Sequence, residues 1–226
     1  MSAHPLLDQV RARGEAAIIY DSALEFVPRY YDPSRGDLIL NPLDVRTPYW
    51  SPAEEVLGPG EAITIAKSLF PDKEEVQKFF TESPRRIFAH LLSFRPTPQE
   101  LIHWMQVPEE IDKRTHGTDL ASLVDHQAAP QRLGVLSSLT MVADALKLLP
   151  TEHETSRKWN AASWAQERKG WLFISSRPET REALRPLISM WLDMLILRLM
   201  SADRRWAKQH PVWIFLDELP SLQKPL

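Results

Sequence analysis

Four short apolar runs in the sequence have the length and composition of buried β-strands. They cover residues 16–21, 37–40, 171–175 and 212–216. Each is an almost continuous apolar stretch, which is typical of strands in a parallel sheet because such strands are buried on both faces. A long helix is predicted between the third and fourth runs, from about residue 178 to residue 202, since its leucine-rich stripe follows the helical period. A strand, a crossing helix and a second strand predict parallel pairing.

The apolar pattern changes to helical spacing alone between about residue 52 and residue 150. Leucine, isoleucine, valine and phenylalanine recur there at intervals of three and four residues. Within this block, Pro84 either kinks one helix or begins a new one. The block predicts an all-helical domain inserted into an α/β domain. The chain is thus divided into a first α/β part at residues 1–51, a helical domain at 52–158 and a second α/β part at 159–226.

The composition excludes several kinds of site. There is no cysteine, which excludes thiolate chemistry, and the seven histidines show no metal-ligand spacing. The formal net charge is −3, so no global basic field indicates a nucleic-acid partner. The adjacent Arg204 and Arg205 have acids nearby in sequence and are interpreted as a solvated helix face. The longest apolar stretch contains Asp193 and Arg198 and is too short to span a bilayer, so we expect no membrane segment in this sequence.

Two adjacent carboxylates, Asp217 and Glu218, follow the last apolar run. Open α/β sheets bind ligands at the carboxyl ends of their strands, so this position favours a functional role. In P-loop nucleotidases an Asp at this position supports Mg²⁺ through water, and a Glu orients or activates the attacking water. Asp217 is therefore a candidate for binding Mg²⁺ and the nucleotide, and Glu218 is a candidate catalytic residue. The alternative is a core strand whose terminal acids only face solvent.

The motif that cradles nucleotide phosphates is not found in the sequence. A G-x-x-x-x-G-K-[ST] loop supplies backbone N–H groups and a lysine to the phosphates, and no Gly-Lys pair occurs in the chain. Without those groups the charge of the transition state is poorly stabilised. We therefore expect this chain alone to bind ATP weakly and to hydrolyse it little or not at all.

A further candidate lies after the third apolar run, where Ser175, Ser176 and Arg177 precede the long helix. Arg177 is predicted at the nucleotide edge of the sheet, where it is placed to approach a phosphate. Capping of the helix by Ser175 or Ser176 is an equally good interpretation of the same residues. Three tryptophans between residues 159 and 171 suggest stacking on bases, but packing against the core is the favoured interpretation.

Five stretches of the sequence carry a family resemblance. They are RARGEAAIIYDSALEFVPRYYD, DLILNPLDVRTPYWSPAEE, GTDLASLVDHQAAPQRLGVLSSL, GWLFISSRPETREALRPLISMWLD and PVWIFLDELPSLQK. The most distinctive parts are the LNPLD segment, followed by Arg46 and Trp50, and the DELPSL segment. In these stretches the chain resembles the type IV secretion coupling proteins of bacterial conjugation, the TraD/TrwB-like DNA-pumping ATPases.

The resemblance implies a partial RecA-like nucleotide-binding core interrupted by an all-helical domain. It implies ATP and Mg as cofactors of the full-length family, with Asp217 and Glu218 matching the Walker B acids. It also implies a homo-hexamer at the cytoplasmic face of the inner membrane. The implied partners are the single-stranded DNA transfer intermediate, the relaxase or relaxosome, and the type IV secretion channel.

The chain resembles a central fragment of the family, without its P-loop and its membrane segments. Because a P-loop strand is missing from the sequence, we expect the strands of Ile18 and Val212 to lie at edges of the sheet. The first functional hypothesis is a part of a coupling protein that recruits and translocates DNA, driven by ATP in the full-length family. The alternatives are a non-catalytic helical module that binds DNA or the relaxosome, and an inactive truncated remnant.

Overall fold

The computed structural model describes residues 4–58, 60–71 and 78–216, which form two compact units. The α/β unit combines the residues up to Tyr49 with those from Glu152 onward. The helical unit runs from Trp50 to Thr151. Two stretches that are distant in sequence therefore fold together in the α/β unit.

The described residues contain strands, helices and short 3-10 turns. The strands are β1 (Ala16–Asp21), β2 (Leu38–Leu40), β3 (Trp171–Ser175) and β4 (Val212–Leu216). The helices are α1 (His4–Arg13), α2 (Val27–Tyr30), α3 (Glu61–Leu69), α4 (Lys78–Ser93), α5 (Pro98–Gln106), α6 (Pro108–Thr115), α7 (Ala129–Leu146), α8 (Ala161–Glu167), α9 (Arg181–Met200) and α10 (Arg204–Gln209). The 3-10 turns are Pro33–Arg35, Pro52–Glu55 and Asp119–Val124. Along the described part of the chain, no helix has both the length and the hydropathy needed to cross a bilayer.

All strands of the described sheet are parallel and lie in the order β2-β3-β1-β4. The parallel α/β architecture expected from the apolar runs is confirmed. The expectation that the strand of Ile18 lies at an edge is wrong. Ile18 pairs with Leu172 on one side and with Ile214 on the other, and it is 1% exposed. β4 is the terminal strand of the described sheet, and Ile214 there is 44% exposed.

β1 and β3 lie at the centre of the α/β unit, and every residue of both strands is buried. On one face of the sheet, Leu7 and Val10 of α1 join Ile19 and Phe173 in a buried apolar cluster. Fully burying a side chain of this size contributes about 1.5–3 kcal/mol. Tight burial on both faces explains why these strands read as continuous apolar runs in the sequence.

A buried carboxylate organises the amino-terminal edge of the sheet. Asp37, which precedes β2, is fully buried and accepts two hydrogen bonds from the guanidinium of Arg11, at 3.0 and 2.7 Å. It also accepts the backbone N–H groups of Asp32, at 3.0 Å, and of Trp171, at 2.8 Å. The guanidinium of Arg11 lies 3.6 Å from the ring centre of Trp171. Asp37 thus connects α1, β2 and the start of β3.

Two glycines cross closely beside this carboxylate. Gly170 has a φ of +73°, and a Cβ placed on it would lie 2.5 Å from the carbonyl carbon and oxygen of Gly36. Gly36 itself has a φ of +86°. Both values lie in the left-handed region that glycine adopts without steric cost. The glycine pair allows the chain to enter β2 and β3 as hydrogen-bonded neighbours.

In the helical unit, α4 and α5 accommodate prolines at different positions of a helix. Pro84 lies inside α4, so the two predicted alternatives resolve in favour of one continuous helix around it. Pro98 is the first residue of α5, where its missing N–H costs nothing. The side chain of Thr97 accepts the N–H of Glu100, and Glu100 in turn accepts the N–H of Thr97. This capping box defines the start of α5.

Arg132 on α7 ties the helical unit together. Its guanidinium donates to both carboxylate oxygens of Asp112 on α6, at 2.7 and 2.9 Å, and to the carbonyl of Val124, at 2.5 Å. His126 lies 3.1 Å from the same carboxylate. Burial acts to raise the pKa of Asp112, but the hydrogen bonds and charge of Arg132, together with His126, outweigh it and hold that pKa below its usual value.

The three tryptophans between residues 159 and 171 belong to the core of the α/β unit. Trp159, Trp164 and Trp171 are 4%, 5% and 1% exposed. The indole N–H groups of Trp164 and Trp171 donate to the carbonyls of Lys169, at 3.1 Å, and of Glu15, at 2.9 Å. Rings that are buried in this way present no face to a base, so their role is packing.

Candidate functional site at the carboxyl edge of the sheet

The carboxyl ends of the parallel strands meet at one edge of the sheet. Asp21 ends β1 and pairs in register with Ser175, which ends β3. Asn41 directly follows β2. Asp21 and Ser175 are fully buried, and Asn41 is buried as well. The predicted metal-binding and catalytic residues, Asp217 and Glu218, follow β4 in sequence and lie outside the described residues.

Asp21 uses its carboxylate to hold the turn that follows β1. One oxygen accepts the N–H of Glu25 at 2.8 Å, and the other accepts the N–H groups of Phe26 at 3.0 Å and Val27 at 2.9 Å. These three donors occupy much of the hydrogen-bonding capacity of the carboxylate. The arrangement shapes the chain between β1 and α2, so Asp21 has a structural role at this edge.

Asn41 holds the turn of the LNPLD segment. Its side-chain oxygen accepts the N–H of Leu43 at 3.1 Å, and its amide nitrogen lies 3.5 Å from the hydroxyl oxygen of Ser175. Further along, the guanidinium of Arg46 pairs with Asp44 at 2.7 Å. Hydrogen bonding by Arg46 lowers the pKa of Asp44. The segment therefore folds back on itself through its own side chains.

Ser176 carries a buried hydroxyl that has no hydrogen-bond partner among the described residues. Its backbone N–H donates to the carbonyl of Asp21 at 3.4 Å, but its Oγ is paired with nothing there and the residue is fully buried. A buried hydroxyl without a partner is costly, and most such groups in proteins are paired. Its position at the ligand-binding edge of a parallel sheet makes it a candidate contact for a polar ligand.

Arg177, the next residue along the chain, is exposed, and no described residue pairs with its guanidinium. The capping alternative for the preceding serines is wrong, because α9 begins at Arg181 and Thr180 is the residue that precedes it. The carbonyl of Arg177 accepts the N–H of Thr180 at 3.1 Å, which closes the turn before the helix. Arg181 donates to the carbonyl of Ser22 at 2.8 Å and is thereby held against the turn after β1.

The described part of this edge suits the oxygens of a phosphate. A hydroxyl and a guanidinium both donate hydrogen bonds to phosphate, and a free guanidinium also supplies positive charge. Ser176 and Arg177 provide these groups side by side in the chain. The described residues contain no cluster of histidine and carboxylate side chains that could hold a metal ion. The chemistry of these two groups therefore fits the phosphates of a nucleotide.

Sequence reasoning placed Arg177 at this edge but did not identify the roles of Asn41 and Ser176. The Asn-Pro pair after a short apolar run is the signal that could have identified Asn41, because such an Asn accepts a hydrogen bond from its own backbone two residues on. No sequence signal reveals that the hydroxyl of Ser176 lacks a partner, since this depends on what the fold brings around it.

Comparison with known proteins identifies several similar chains. Residues 1–225 match the family model described as type IV secretion-system coupling protein DNA-binding domain. Coupling protein TraD of Escherichia coli (strain K12) is 34% identical over 232 residues, which cover 97% of this chain and 32% of TraD. Two solved structures of the plasmid coupling protein TrwB, one with the non-hydrolysable ATP analogue ADPNP and one with ADP and Mg²⁺, each match with a TM-score of 0.81 at 25% identity.

These TrwB matches cover 96% of this chain and 53% of each TrwB chain. The chain thus spans about a third of the length of TraD and about half of the TrwB chains. The predicted fold class is confirmed: a partial RecA-like α/β core with a parallel sheet, combined with a helical domain.

Proposed function

The chain belongs to the family of type IV secretion-system coupling protein DNA-binding domains, and we propose that it is part of a protein that recruits DNA and translocates it during bacterial conjugation with energy from ATP. The observation that carries this proposal is the carboxyl edge of the sheet. There Ser176, whose hydroxyl has no partner among the described residues, and the exposed Arg177 directly follow β3, which pairs with β1. Parallel α/β sheets bind nucleotides at this edge.

We propose Mg²⁺-ATP as the ligand of this edge. The TrwB structures with an ATP analogue and with ADP and Mg²⁺ support this choice for the family. In our proposal Asp217 supports the metal through water, Glu218 orients the attacking water, and Arg177 donates to a phosphate. When bound, Mg²⁺ neutralises charge that develops on the phosphate oxygens during transfer to water.

Hydrolysis by this chain alone is expected to be weak or absent. The sequence has no Gly-Lys pair and hence no loop of the G-x-x-x-x-G-K-[ST] kind to hold the β- and γ-phosphates. Donors that are aimed at the developing charge contribute several kcal/mol to catalysis, roughly 3–4 kcal/mol for one oxyanion-hole donor. Binding of Mg²⁺-ATP by this chain is therefore tested separately from its hydrolysis.

We propose further assignments from the family. The inserted helical domain at the centre of the chain faces the DNA and the relaxase, and the α/β core assembles into a homo-hexamer with nucleotide sites between subunits. The single-stranded transfer intermediate is the substrate, and the assembly passes it to the type IV secretion channel at the cytoplasmic face of the inner membrane. Relaxase binding to the purified chain and its hexamerisation, measured by light scattering, test these assignments separately.

Calorimetric titration of the purified chain with Mg²⁺-ATP tests the nucleotide site. We expect measurable binding that weakens in Arg177→Ala and changes in Glu218→Gln. Lys113→Ala is the matched control, because Lys113 is an exposed cation that belongs to the helical unit and not to the α/β unit that carries this edge. Binding that is unchanged in the Arg177 and Glu218 variants would place the nucleotide elsewhere. The absence of any heat with the parent chain would leave only the non-catalytic functions.

A second candidate function is a non-catalytic, DNA-contacting helical unit. The observation in its favour is Phe94, which is 51% exposed and lies edge-on to the rings of His90 and Trp104, at centroid distances of 5.1 and 6.2 Å. Exposed aromatic rings stack on the bases of single strands. Phe94→Ala should weaken binding of a single-stranded oligonucleotide if this surface carries the function, and Leu133→Ala, which removes another exposed apolar side chain of the same unit, should not.

A further inference from the structure

Helix α10 carries a group of cations that the carboxyl-edge site does not use. Arg204, Arg205 and Lys208, here termed the α10 basic cluster, are all exposed. None of the three forms an ion pair or side-chain hydrogen bond in the part of the chain that the structure describes. The formal net charge of the chain is −3, so this local excess of positive charge runs against the overall balance.

The acid that neighbours this cluster in sequence does not neutralise it. Asp203 precedes α10, and its carboxylate accepts the backbone N–H groups of Arg205 at 3.0 Å and Trp206 at 2.9 Å. The carboxylate is thus committed to capping the helix. Two arginines in the first turn also oppose the helix dipole, which favours acids there. Neither ion pairing with a neighbour nor stabilisation of the helix therefore explains why these positions carry cations. Residues that oppose the local preferences of a helix are found most often at functional sites.

A set of stacked side chains holds α10 in place. The ring of Trp206 stacks on that of His210 at a centroid distance of 4.5 Å, and the guanidinium of Arg168 lies 4.5 Å from the ring centre of Trp206. Arg168 also donates to the carbonyls of Ala207 and His210 at the end of the helix. Burial lowers the pKa of Arg168. The cations of the cluster therefore project from a helix that is held in place by contacts with Arg168.

We propose that the α10 basic cluster binds the phosphate backbone of single-stranded DNA. Lys and Arg side chains without carboxylate partners are the groups that neutralise phosphates and release counterions. The indole of Trp206 is only partly exposed and is contacted by the ring of His210 and the guanidinium of Arg168, and the helix exposes no apolar side chain beside its cations. An interfacial helix needs such an apolar face, so these observations favour nucleic acid over a lipid surface.

This inference rests on the proposed role of the protein in DNA transport, and it assigns that role a surface on the α/β unit. The test is the affinity of the whole chain for a single-stranded oligonucleotide, measured by fluorescence anisotropy over a range of salt concentrations. The test variant is R204A/R205A/K208A. The matched control, R29A/R35A/K158A, removes three exposed cations of the α/β unit that are each paired with a carboxylate, so both variants change the net charge equally.

If each cation of the cluster contacts one phosphate, the slope of log K against log salt is less steep in the test variant by about 2. The affinity of the test variant at 0.1 M salt falls by about 100-fold. Both quantities change little in the control variant. An equal loss in both variants, or a loss in the control alone, overturns the assignment. Unchanged DNA affinity with lost binding to vesicles of phosphatidylcholine and phosphatidylserine overturns it in favour of lipid. A parent chain that binds no DNA overturns both this inference and its DNA-transport basis, whereas full binding by the test variant overturns only the inference.

Discussion

The backbone N–H of Trp171 donates a 2.8 Å hydrogen bond to the buried carboxylate of Asp37, although 134 residues separate the two along the chain. The whole helical unit lies between them in sequence. The same carboxylate receives the guanidinium of Arg11, whose side chain is 16% exposed. Asp37 is thus the point at which the two sequence segments of the α/β unit are joined by a charged, buried group.

Asp37→Asn should destabilise the α/β unit. The change leaves the largely buried guanidinium of Arg11 without its charge partner, and breaking a buried ion pair costs about 3–5 kcal/mol. Urea denaturation measures the loss. Glu152→Gln is the control, because its ion pair with Lys158 is more than half exposed on both sides and such pairs contribute at most about 1 kcal/mol. Equal losses in the two variants would contradict the assigned role of Asp37.

Gly170→Ala should destabilise the protein more than Gly117→Ala does. Both glycines have left-handed φ values, +73° and +75°, so both variants pay the cost of about 1–2 kcal/mol for a side chain in that region. At Gly170 the new methyl group would also meet the backbone of Gly36 at 2.5 Å, whereas nothing lies within 4 Å at Gly117. Thermal unfolding of both variants measures the difference. Identical melting temperatures would exclude the close crossing.

Asp112→Asn should destabilise the helical unit by about 1.5–3 kcal/mol at neutral pH, since it weakens the charged hydrogen bonds from Arg132. The pKa of Asp112 is held below its ordinary value of 3.8, so its contribution is fully present above that value and is lost as the pH falls through the lower, folded-state pKa. The stability difference between parent and variant should therefore shrink as the pH falls below 3.8. Urea titrations at several pH values measure it. In Asp119→Asn, whose ion pair with Arg86 is exposed, the stability should hardly change at any pH.

Asp21→Ala should reduce stability without acting on nucleotide chemistry. It removes the acceptor of three backbone N–H groups, those of Glu25, Phe26 and Val27. Each buried donor left without a partner costs about 1–3 kcal/mol, and Asp21→Asn, which keeps one oxygen, should cost less. Melting temperature and Mg²⁺-ATP titration on the same samples separate the two roles. Lost nucleotide binding in a variant that is still fully folded would contradict the structural role.

The positions of the strands could be predicted from the sequence, but their order could not. Residues 16–21 and 171–175 are continuous apolar runs because both faces of those strands are buried, and this pattern is visible locally. The pattern is the same for any buried parallel strand, whatever its neighbours. The edge position expected for Ile18 was wrong for this reason: partners on both sides of β1 come from residues more than 150 positions away.

The candidate site was predictable in its location and not in its details. Arg177 follows an apolar run, so its place at the carboxyl edge follows from local pattern and parallel pairing. The roles of Asp21 and Ser176 depend on which backbone groups the fold places around them. Those contacts cannot be predicted from residue type. The sequence favours a solvated face for Arg204 and Arg205 because acids lie nearby, and the capping bonds of Asp203 become visible only in the structure.

The strand order also dictates when the sheet can form during synthesis. Each of the three ladders in the described sheet joins a strand that precedes the helical unit to one that follows it. During synthesis on the ribosome, all residues of the helical unit have been made once Thr151 is added. At that point β3, the partner of both β1 and β2, has not yet been made. Pairings so distant along the chain form slowly, and unpaired apolar strands are prone to associate with other chains. The nascent protein therefore passes through a stage in which its helices are folded and its first two strands need protection.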